Sequence, residues 1–480
     1  MHKHTKIAII GAGAAGATAA LYLGQLGLDV TLYERESSII NGPPFCHLHA
    51  GGNLYREISD QQCIDLLRQS IDFLRYYPFV VDYRPTVIAV PIGDKGTAIQ
   101  LIPRLKLLKN EYQKLIDADS SNKVLGESEN YYKLYSKDEI LKLSKKDTVT
   151  TPKNSDEWMI AVAKNIDLNK VQFPLVLVQE YGLNLFRLGG GLTTLLEKMK
   201  NIDVKLNTTI THIKTNDRGW QIRYQNADTE STNQYDYLIN AAGFRTGEID
   251  DMLGLTCQRM VEFKAAYVTK CDTKGTLWPE IIFHGKRGTP EGMAQFTPYP
   301  DGHFQLHGMT TDITLFEGGL VSSQSNYVQP KLHSIFVAKI EKGWQPQIVK
   351  ERTKAAIKHL SKFIPNFATA NLASKPLYGA QQIPGFDPEL RVAEVSFPIE
   401  RYARCEIVKV SSIIDMMDAI VDNMKKTEYL PKETSRVRSL EHLQYISEDE
   451  INKRAVEMCK LRDYPQELAG LTVPKQLLSF

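Results

Sequence analysis

The most constraining feature of this sequence is a glycine pattern near its start. Lys6–Ile10 is a short β-branched run typical of a buried parallel strand, and residues 11–16 follow it as Gly-Ala-Gly-Ala-Ala-Gly. A helix rich in alanine and leucine is predicted to about Leu26, and Asp29–Tyr33 is predicted as a second strand that ends at Glu34. Strand, glycine turn, helix, strand and acid occur here in the order of a unit that binds a dinucleotide.

Each position of the turn has a chemical reason. Gly11 allows a tight turn, Gly13 lets the backbone approach a pyrophosphate, and Gly16 lets the helix pack closely on the strand. Ala14 and Ala15 begin a helix whose unpaired N–H groups and partial positive charge face the phosphates. These five residues are therefore predicted to bind the cofactor.

The acid after the second strand predicts which ribose is bound. Glu34 follows Gly16 by 18 residues, close to the ~20 expected for a carboxylate that binds ribose hydroxyls. Its charge would repel a 2′-phosphate, so an adenosine with a free 2′-hydroxyl is favoured. Arg35 follows directly and is predicted to border the same site.

A late strand helps to choose between FAD and NAD. Residues 235–240 form a strand-like run that is followed by Ala241, Ala242 and Gly243. This segment resembles the second signature of two-dinucleotide-binding flavoproteins, in which small residues pass beneath the cofactor. Ile210, on an earlier strand-like stretch, is included among the predicted contacts. FAD is therefore the predicted cofactor.

Two classes of flavoprotein are disfavoured. A second glycine run begins at Gly189, but Thr194 stands where a complete Gly-x-Gly-x-x-Gly would have its last glycine, and no Cys-x4-Cys pair occurs. Flavoprotein disulfide reductases need both features. Aromatic hydroxylases usually carry a Gly-Asp-Ala-type segment, which is also missing. Electrons are therefore expected to come from the substrate itself and to leave to oxygen, a quinone or another carrier.

The loop after the second strand carries a more specific resemblance. Residues 45–55 have the sequence Phe-Cys-His-Leu-His-Ala-Gly-Gly-Asn-Leu-Tyr. At this distance D-amino-acid-oxidase-like flavoenzymes have a loop that runs along the isoalloxazine ring and the pyrophosphate. The His-Ala-Gly part is similar to L-2-hydroxyglutarate dehydrogenases and malate:quinone oxidoreductases, and the Ala-Gly-Gly part resembles glycine oxidases. The resemblance implies flavin contacts from His49, Ala50, Gly51 and Gly52.

Two later segments extend this resemblance over about half of the chain. Residues 185–196 are predicted as strand, turn and amphipathic helix, like the segment before the late cofactor strands of these enzymes. Residues 390–397 are strand-like, and residues 407–421 open a helix whose N-terminus, in the family, lies beside the flavin. The usual Gly-x-x-Gly turn is replaced by Ile-Val-Lys-Val-Ser-Ser. The implied contacts are Val410, Ser411 and Ser412.

The predicted fold class is α/β, with a Rossmann-like FAD-binding domain of the two-dinucleotide-binding type. An interleaved α+β substrate domain is predicted to be built on an antiparallel sheet, because short strand-like runs alternate with proline and glycine between residues 256 and 365. The predicted boundaries are 1–94, 181–255 and 370–425 for the FAD-binding domain, 95–180 and 256–369 for the substrate domain, and 426–480 for a C-terminal helical extension. We expect this charged extension to pack on the rest of the protein rather than to contact a partner or a membrane surface.

The chemistry of a flavin dehydrogenase predicts a base. Hydride transfer from a C–H bond to flavin N5 requires a group that takes the proton from the substrate O–H or N–H, and histidine suits this at neutral pH. His49 on the flavin loop and His307 on the predicted sheet are preferred over His284 and His303. A covalent bond from His49 or Cys46 to the flavin is an alternative that the resemblance also implies.

A carboxylate substrate also needs cations, and an arginine fork suits a bidentate carboxylate. Arg404, beside the final flavin loop, is the preferred candidate for this role. Arg245 and Arg401 are the other candidates. A surface ion pair is the competing interpretation for all three.

Composition excludes several other classes. With 58 basic and 56 acidic residues the formal net charge is +2, so nothing demands a nucleic-acid partner. No run of 18 apolar residues occurs, so no transmembrane segment is expected. Six cysteines lie far apart, without metal-ligand or redox spacing, so no metal is predicted and a reducing compartment is favoured. A cytoplasmic location follows, with a peripheral contact to the inner membrane as the alternative.

The leading hypothesis is an FAD-dependent dehydrogenase or oxidase that removes a hydride from a small carboxylate substrate of the 2-hydroxy-acid type. A flavin amine or amino-acid oxidase is the enzymatic alternative. A protein that binds FAD without catalysis is the alternative from another class.

Overall fold

The helices and strands are those of a mixed α/β protein. The structure, a computed structural model, describes residues 5–42, 58–438, 443 and 446–473. In these residues the α-helices are α1 Ala14–Gln25, α2 Asp60–Tyr76, α3 Ile102–Ala118, α4 Lys137–Leu143, α5 Ser155–Asn165, α6 Leu185–Glu197, α7 Thr246–Met252, α8 Ser334–Lys342, α9 Pro346–Leu360, α10 Ile413–Lys426 and α11 Glu448–Leu461. The strands are β1 Lys6–Ile10, β2 Asp29–Tyr33, β3 Val81–Asp82, β4 Thr86–Ala89, β5 Tyr132–Tyr135, β6 Leu175–Val178, β7 Gly182–Leu183, β8 Ile202–Lys205, β9 Thr208–Asn216, β10 Gly219–Asn226, β11 Thr229–Tyr235, β12 Tyr237–Asn240, β13 Arg259–Lys270, β14 Glu280–Phe283, β15 Ala294–Pro298, β16 His303–Gly308, β17 Leu320–Ser322, β18 Asn371–Leu372, β19 Leu377–Pro384, β20 Val395–Ser396 and β21 Tyr402–Cys405.

The first sheet, here called the nucleotide sheet, has the strand order β20-β21-β12-β1-β2-β8. Its strands pair in parallel except for the edge strand β20. Both faces of β1 are buried, as its apolar sequence predicts: Ile7 and Ile9 belong to the core that contains α1, and Ala8 and Ile10 belong to the core beneath the β9–β10–β11 meander. The predicted strands at the start of the chain have the expected bounds, and the fold class is confirmed.

The segment 185–196 was expected to contain a strand and a turn, and this expectation is wrong. The residues form one helix, α6, whose N-terminal N–H groups are capped by Asn184. Glycine usually interrupts helices, but here Gly189 and Gly190 let α11 approach: a Cβ at Gly190 would lie 2.8 Å from the Ala455 nitrogen and 2.9 Å from the Ile451 carbonyl oxygen. Gly191 makes room for the Phe79 ring. The glycine run therefore serves helix packing.

The closing element of the nucleotide sheet also differs from the expectation. Within the strand-like stretch 390–397 only β20 forms, and the parallel strand beside β12 is β21. The helix predicted to open after residue 407 begins at Ile413, after a single 3-10 turn over Val410–Ser412. The apolar pattern located the region correctly, but the pairing partner of each strand depends on residues far away in the chain.

The second sheet, here called the large sheet, is antiparallel except where β4 runs parallel to β14, as the sequence predicted for the substrate region. Its order is β17-β13-β16-β15-β14-β4-β6-β5, and β18 and β19 also pair with β13. β4 and β19 lie within ranges that were assigned to the FAD-binding domain. The exact domain boundaries remain a prediction.

The two faces of the large sheet have opposite character, because side chains alternate along each strand. Phe283, Phe296 and Phe304 point into an apolar core. The other face, here called the polar face, presents Lys264, His284, Gln295, Gln305 and His307 to a cavity. The polar face positions the functional site.

The last described residues, up to 473, pack on the body of the protein. α11 lies against the glycine face of α6, and the Asn184 side-chain amide donates to the carbonyls of Leu468 and Gly470 at 2.9 and 3.0 Å. Within the described ranges, none of the helices is both long and apolar enough to cross a membrane.

Candidate active site

A cavity of about 1700 Å³, here called the central cavity, is lined by both sheets. The carboxyl ends of β1 and β12 border it on one side, and the polar face of the large sheet borders it on the other. Its volume exceeds the ~300–1,000 Å³ of a pocket for one small ligand. The cavity therefore has room for a dinucleotide and a substrate together.

The glycine turn has the shape that a bound pyrophosphate requires. Gly11 has a φ of 96°, in the region that favours glycine, and a Cβ there would lie 2.5 Å from the Ala241 carbonyl oxygen. A Cβ at Gly16 would overlap the Gly11 carbonyl. Gly13 differs, because a Cβ there would meet nothing within 4 Å. Gly13 therefore faces open space at the start of α1, and it lines the cavity with Ala14 and Ala15.

Glu34 is held in place by backbone hydrogen bonds. Its carboxylate accepts the Ala12 N–H at 2.7 Å and the Glu36 N–H at 3.0 Å, and it lines the cavity beside Arg35. Burial raises the pKa of Glu34, although these two N–H groups oppose the shift. Each carboxylate oxygen keeps further acceptor capacity for a ribose hydroxyl.

The predicted late motif meets the glycine turn. The Ala241 N–H donates to the Ile10 carbonyl at 2.8 Å, and Ala241, Ala242 and Gly243 line the cavity. Ile210 lines the cavity as well. The turn, Glu34 and the late motif thus fit FAD: an open cradle for phosphates, an acid for a ribose and small residues beside both.

The final loop contributes in part. Val410 lines the cavity with Ile407 and Val408, but Ser411 and Ser412 do not. Ser412 is buried and donates to the Gln69 side-chain oxygen at 2.9 Å. The predicted flavin-loop residues His49, Ala50, Gly51 and Gly52, and also Cys46, lie outside the described residues.

The two remaining catalytic candidates have different positions. His307 lines the cavity, and its Nε2 lies 3.3 Å from the Met309 sulfur. Arg404 does not reach the cavity. Its guanidinium pairs with Asp250 and Glu406, both at 3.1 Å, so its fork is already occupied within a buried ion network.

Lys264 is a candidate that the sequence analysis missed. It lines the cavity from β13, pairs with Glu262 at 2.7 Å and donates to the Gln381 side-chain oxygen at 3.1 Å. Burial lowers the pKa of Lys264 and the cations Arg287 and Arg391 add to this, while Glu262 opposes it. The available signal was the pair Glu262 and Lys264, two positions apart and therefore on one face of a strand with long apolar stretches.

The cavity lining carries an excess of positive charge. Among the described residues that line it, twelve are Lys or Arg and six are Asp or Glu. Low-dielectric walls strengthen such a field and raise the local concentration of anions. The cavity is therefore suited to an anionic cofactor and an anionic substrate.

Two sequence comparisons match part of the chain. Residues 5–166 match a family model described as pyridine nucleotide-disulphide oxidoreductase. In that range the cysteines are Cys46 and Cys63, which are too far apart for a Cys-x4-Cys pair. A thiamine thiazole synthase from Pyrobaculum aerophilum is 39% identical over 104 residues, which make up 20% of this chain and 37% of the synthase. The match thus spans little more than a third of that relative.

Solved structures resemble most of the chain. Glycine oxidase from Geobacillus kaustophilus has a TM-score of 0.52 at 11% identity, over 88% of this chain and 95% of its own. L-α-glycerophosphate oxidase from Mycoplasma pneumoniae, with FAD bound, has a TM-score of 0.56 at 15% identity, over 88% and 95%. L-amino acid deaminase from Proteus vulgaris has a TM-score of 0.56 at 11% identity, over 94% and 97%. Identities this low show a shared fold.

The fold, the family match and the chemistry of the cavity all support a dinucleotide cofactor. The glycine turn and Glu34 fit an adenine dinucleotide, and the cavity continues to the polar face. The chain thus shares the fold of flavoenzymes, and its central cavity has the open cradle, the acid and the positive charge that an adenine dinucleotide requires.

Proposed function

We propose that the protein oxidises a C–H bond of a small anionic substrate, a 2-hydroxy acid in the first place, with FAD as the electron acceptor. The observation that carries this proposal is the polar face of the large sheet. It presents two histidines, a lysine and two glutamines to the same cavity that the glycine turn borders. Such a surface serves to bind and deprotonate a polar substrate.

The residues of the polar face suggest a division of labour. Lys264, within the positive field of the cavity, would hold the substrate carboxylate. His307 would take the proton of the substrate hydroxyl. Bound FAD supplies the acceptor for the hydride. Closure of the cavity by both sheets would keep water from these groups.

The finer resemblance to malate:quinone oxidoreductases and L-2-hydroxyglutarate dehydrogenases also belongs to this proposal, with quinone, oxygen or another carrier as the final electron acceptor. A cytoplasmic location is supported by the five described cysteines, all of which are free thiols. A peripheral membrane contact is the alternative. The proposed partner is a small carboxylate, without nucleic acid.

An amine or amino-acid oxidase is the second candidate. The neighbours in fold include a glycine oxidase and an L-amino acid deaminase, so the same sheet arrangement serves amino acids in other proteins. An amino-acid substrate would use the same cation for its carboxylate. The two kinds of substrate would differ in the group that loses a proton to the base: the O–H of a hydroxy acid or the N–H of an amino acid.

Anaerobic flavin reduction separates these candidates. The purified holoprotein is mixed with single 2-hydroxy acids, amino acids and amines without oxygen, and the flavin absorbance is followed. Bleaching by a 2-hydroxy acid supports the proposal, and bleaching by amino acids alone transfers support to the second candidate. A flavin that no member of the panel reduces would favour an FAD-binding protein without catalysis. His307→Gln is the matched variant: it removes the proposed base and leaves the residues around the glycine turn unchanged.

A further inference from the structure

The last described residues, 462–473, follow α11 and are here called the C-terminal strap. Arg462 and Tyr464 of this strap line the central cavity. The Tyr464 hydroxyl donates to the Pro376 carbonyl at 2.8 Å, directly before β19, which fixes the strap to the large sheet. On the nucleotide side, Arg462 reaches residues 40–42. The strap therefore connects the two walls of the cavity.

The Arg462 guanidinium binds three successive carbonyl oxygens. It donates from Nη1 to Ile40 at 3.1 Å, and from Nη2 to Asn41 at 3.3 Å and Gly42 at 3.1 Å. A planar fork with five N–H donors can hold several acceptors in a fixed geometry, which a lysine ammonium cannot do as well. The contact thus specifies the path of the chain at residues 40–42.

Arg462 is a cation in buried surroundings. Its guanidinium carbon lies 5.3 Å from the centre of the Phe186 ring and 5.7 Å from that of Tyr464. Burial lowers the pKa of Arg462. Its partners in the described part of the chain are neutral groups, namely carbonyl oxygens and aromatic rings. A cation in such a place depends on these carbonyl hydrogen bonds.

Ile40 is the strained residue at the centre of the contact. Its φ is 55°, in the left-handed region, where a β-branched residue is an outlier. Such a conformation persists when its surroundings fix it. The Ile40 N–H donates to the Ala12 carbonyl at 2.9 Å within the glycine turn, and its own carbonyl accepts from Arg462. Ile40 is therefore held between the cofactor turn and the strap.

We propose that Arg462 is a positioning residue for the FAD site. It holds residues 40–42, with the strained Ile40 among them, against the glycine turn, and thereby completes the wall of the cofactor site from a distant part of the chain. The inference rests on FAD binding, which the proposed function also uses. It does not depend on which substrate is oxidised.

The test is a titration of the apoprotein with FAD, followed by quenching of flavin fluorescence. Arg462→Ala is expected to raise the Kd for FAD about tenfold or more, because residues 40–42 lose the charged hydrogen bonds that hold them against the glycine turn, and FAD binding must then order them. Arg462→Lys is expected to fall between this variant and the wild type. Arg454→Ala is the matched control: Arg454 lies on α11 with an exposed ion pair to Glu197, and its Kd should equal that of the wild type.

A double-mutant cycle distinguishes positioning from a general structural role. Ile40→Gly removes the backbone strain, so Arg462→Ala should cost less FAD affinity in that background than in the wild type. Unchanged Kd values in both Arg462 variants, or an equal loss with and without Ile40→Gly, would overturn the inference alone. If Arg462→Ala does not fold, the same cycle with Arg462→Lys decides. A wild-type protein that binds no FAD would overturn the cofactor assignment as well.

Discussion

At the scale of single residues, the cofactor site depends on a few hydrogen bonds around an acid. Glu34 accepts two backbone N–H groups and is the group predicted to bind the ribose. Glu34→Gln retains the shape but loses the charge and one acceptor, so we expect the Kd for FAD to rise about tenfold. Fluorescence titration measures this. Glu230→Gln is the control, because the Glu230 side chain is exposed on β11, pairs with Arg223 and does not line the cavity.

The pH dependence of FAD binding follows from the same carboxyl. Burial raises the pKa of Glu34, so it takes up a proton at a less acidic pH than a free glutamate. The carboxylate form accepts the ribose hydroxyls, and affinity should therefore fall as the pH drops through this raised value. In Glu34→Gln the acid limb of the Kd profile should disappear. A wild-type profile without that limb would contradict the assignment.

Lys264 leads to a prediction for the substrate. The ammonium form binds an anion, and because the pKa of Lys264 is lowered, this form is lost at a lower pH than for an exposed lysine. The KM for an anionic substrate should therefore rise with pH through that lowered pKa, and in Lys264→Arg the rise should move to higher pH. Steady-state kinetics across the pH range test this. Lys270→Arg, at the exposed end of the same strand, should leave the profile unchanged.

The sequence was sufficient to predict those residues whose role depends on their near neighbours in the chain. The glycine turn and Glu34 lie within 24 consecutive positions, so their spacing alone indicates their chemistry. Lys264 and Arg404 were not predictable in this way. The pKa of Lys264 is lowered by its burial beside Arg287 and Arg391. The Arg404 guanidinium forms an ion pair with Asp250 and is therefore not available to a substrate. These partners are distant in sequence, and only the folded chain brings them together.

At the scale of elements, the contact between α6 and α11 explains the glycine run that was mistaken for a turn. Gly190→Ala would place a methyl group 2.8 Å from the Ala455 nitrogen. Overpacking of this kind costs roughly 1–3 kcal/mol, which outweighs the gain of ~1 kcal/mol from the better helix former. Thermal and urea unfolding should show a net loss of stability. Gly93→Ala is the control, because its added methyl would meet nothing within 4 Å.

The predictable elements are those with a strong local pattern. β1, β2 and the strands of the polar face came from apolar runs and alternation, and they form where expected. β21 and the first half of α6 did not follow from local pattern, although the amphipathic helix in the second half of that segment was predicted. A glycine run is compatible with a turn and with close helix packing, and β21 is recognised by its pairing with β12, some 160 residues earlier in the chain.

At the scale of the whole molecule, two sheets and the C-terminal strap enclose one cavity, so cofactor binding and stability should be coupled. A ligand that binds the folded state at 100 times its Kd stabilises it by about 2.7 kcal/mol. We expect added FAD to raise the Tm of the apoprotein. Gly13→Asp should fold, because its Cβ meets open space, but its charge would face the phosphates and remove the shift. If FAD raises the Tm of Gly13→Asp as much as that of the wild type, the cofactor binds elsewhere.

The visible absorption spectrum of the purified protein tests the central claim most directly. The spectrum is recorded before and after incubation with excess FAD and removal of the unbound cofactor. We expect the two flavin bands on the protein in the second spectrum, and their absence in Gly13→Asp treated in the same way. A wild-type protein that stays colourless after this incubation would contradict it.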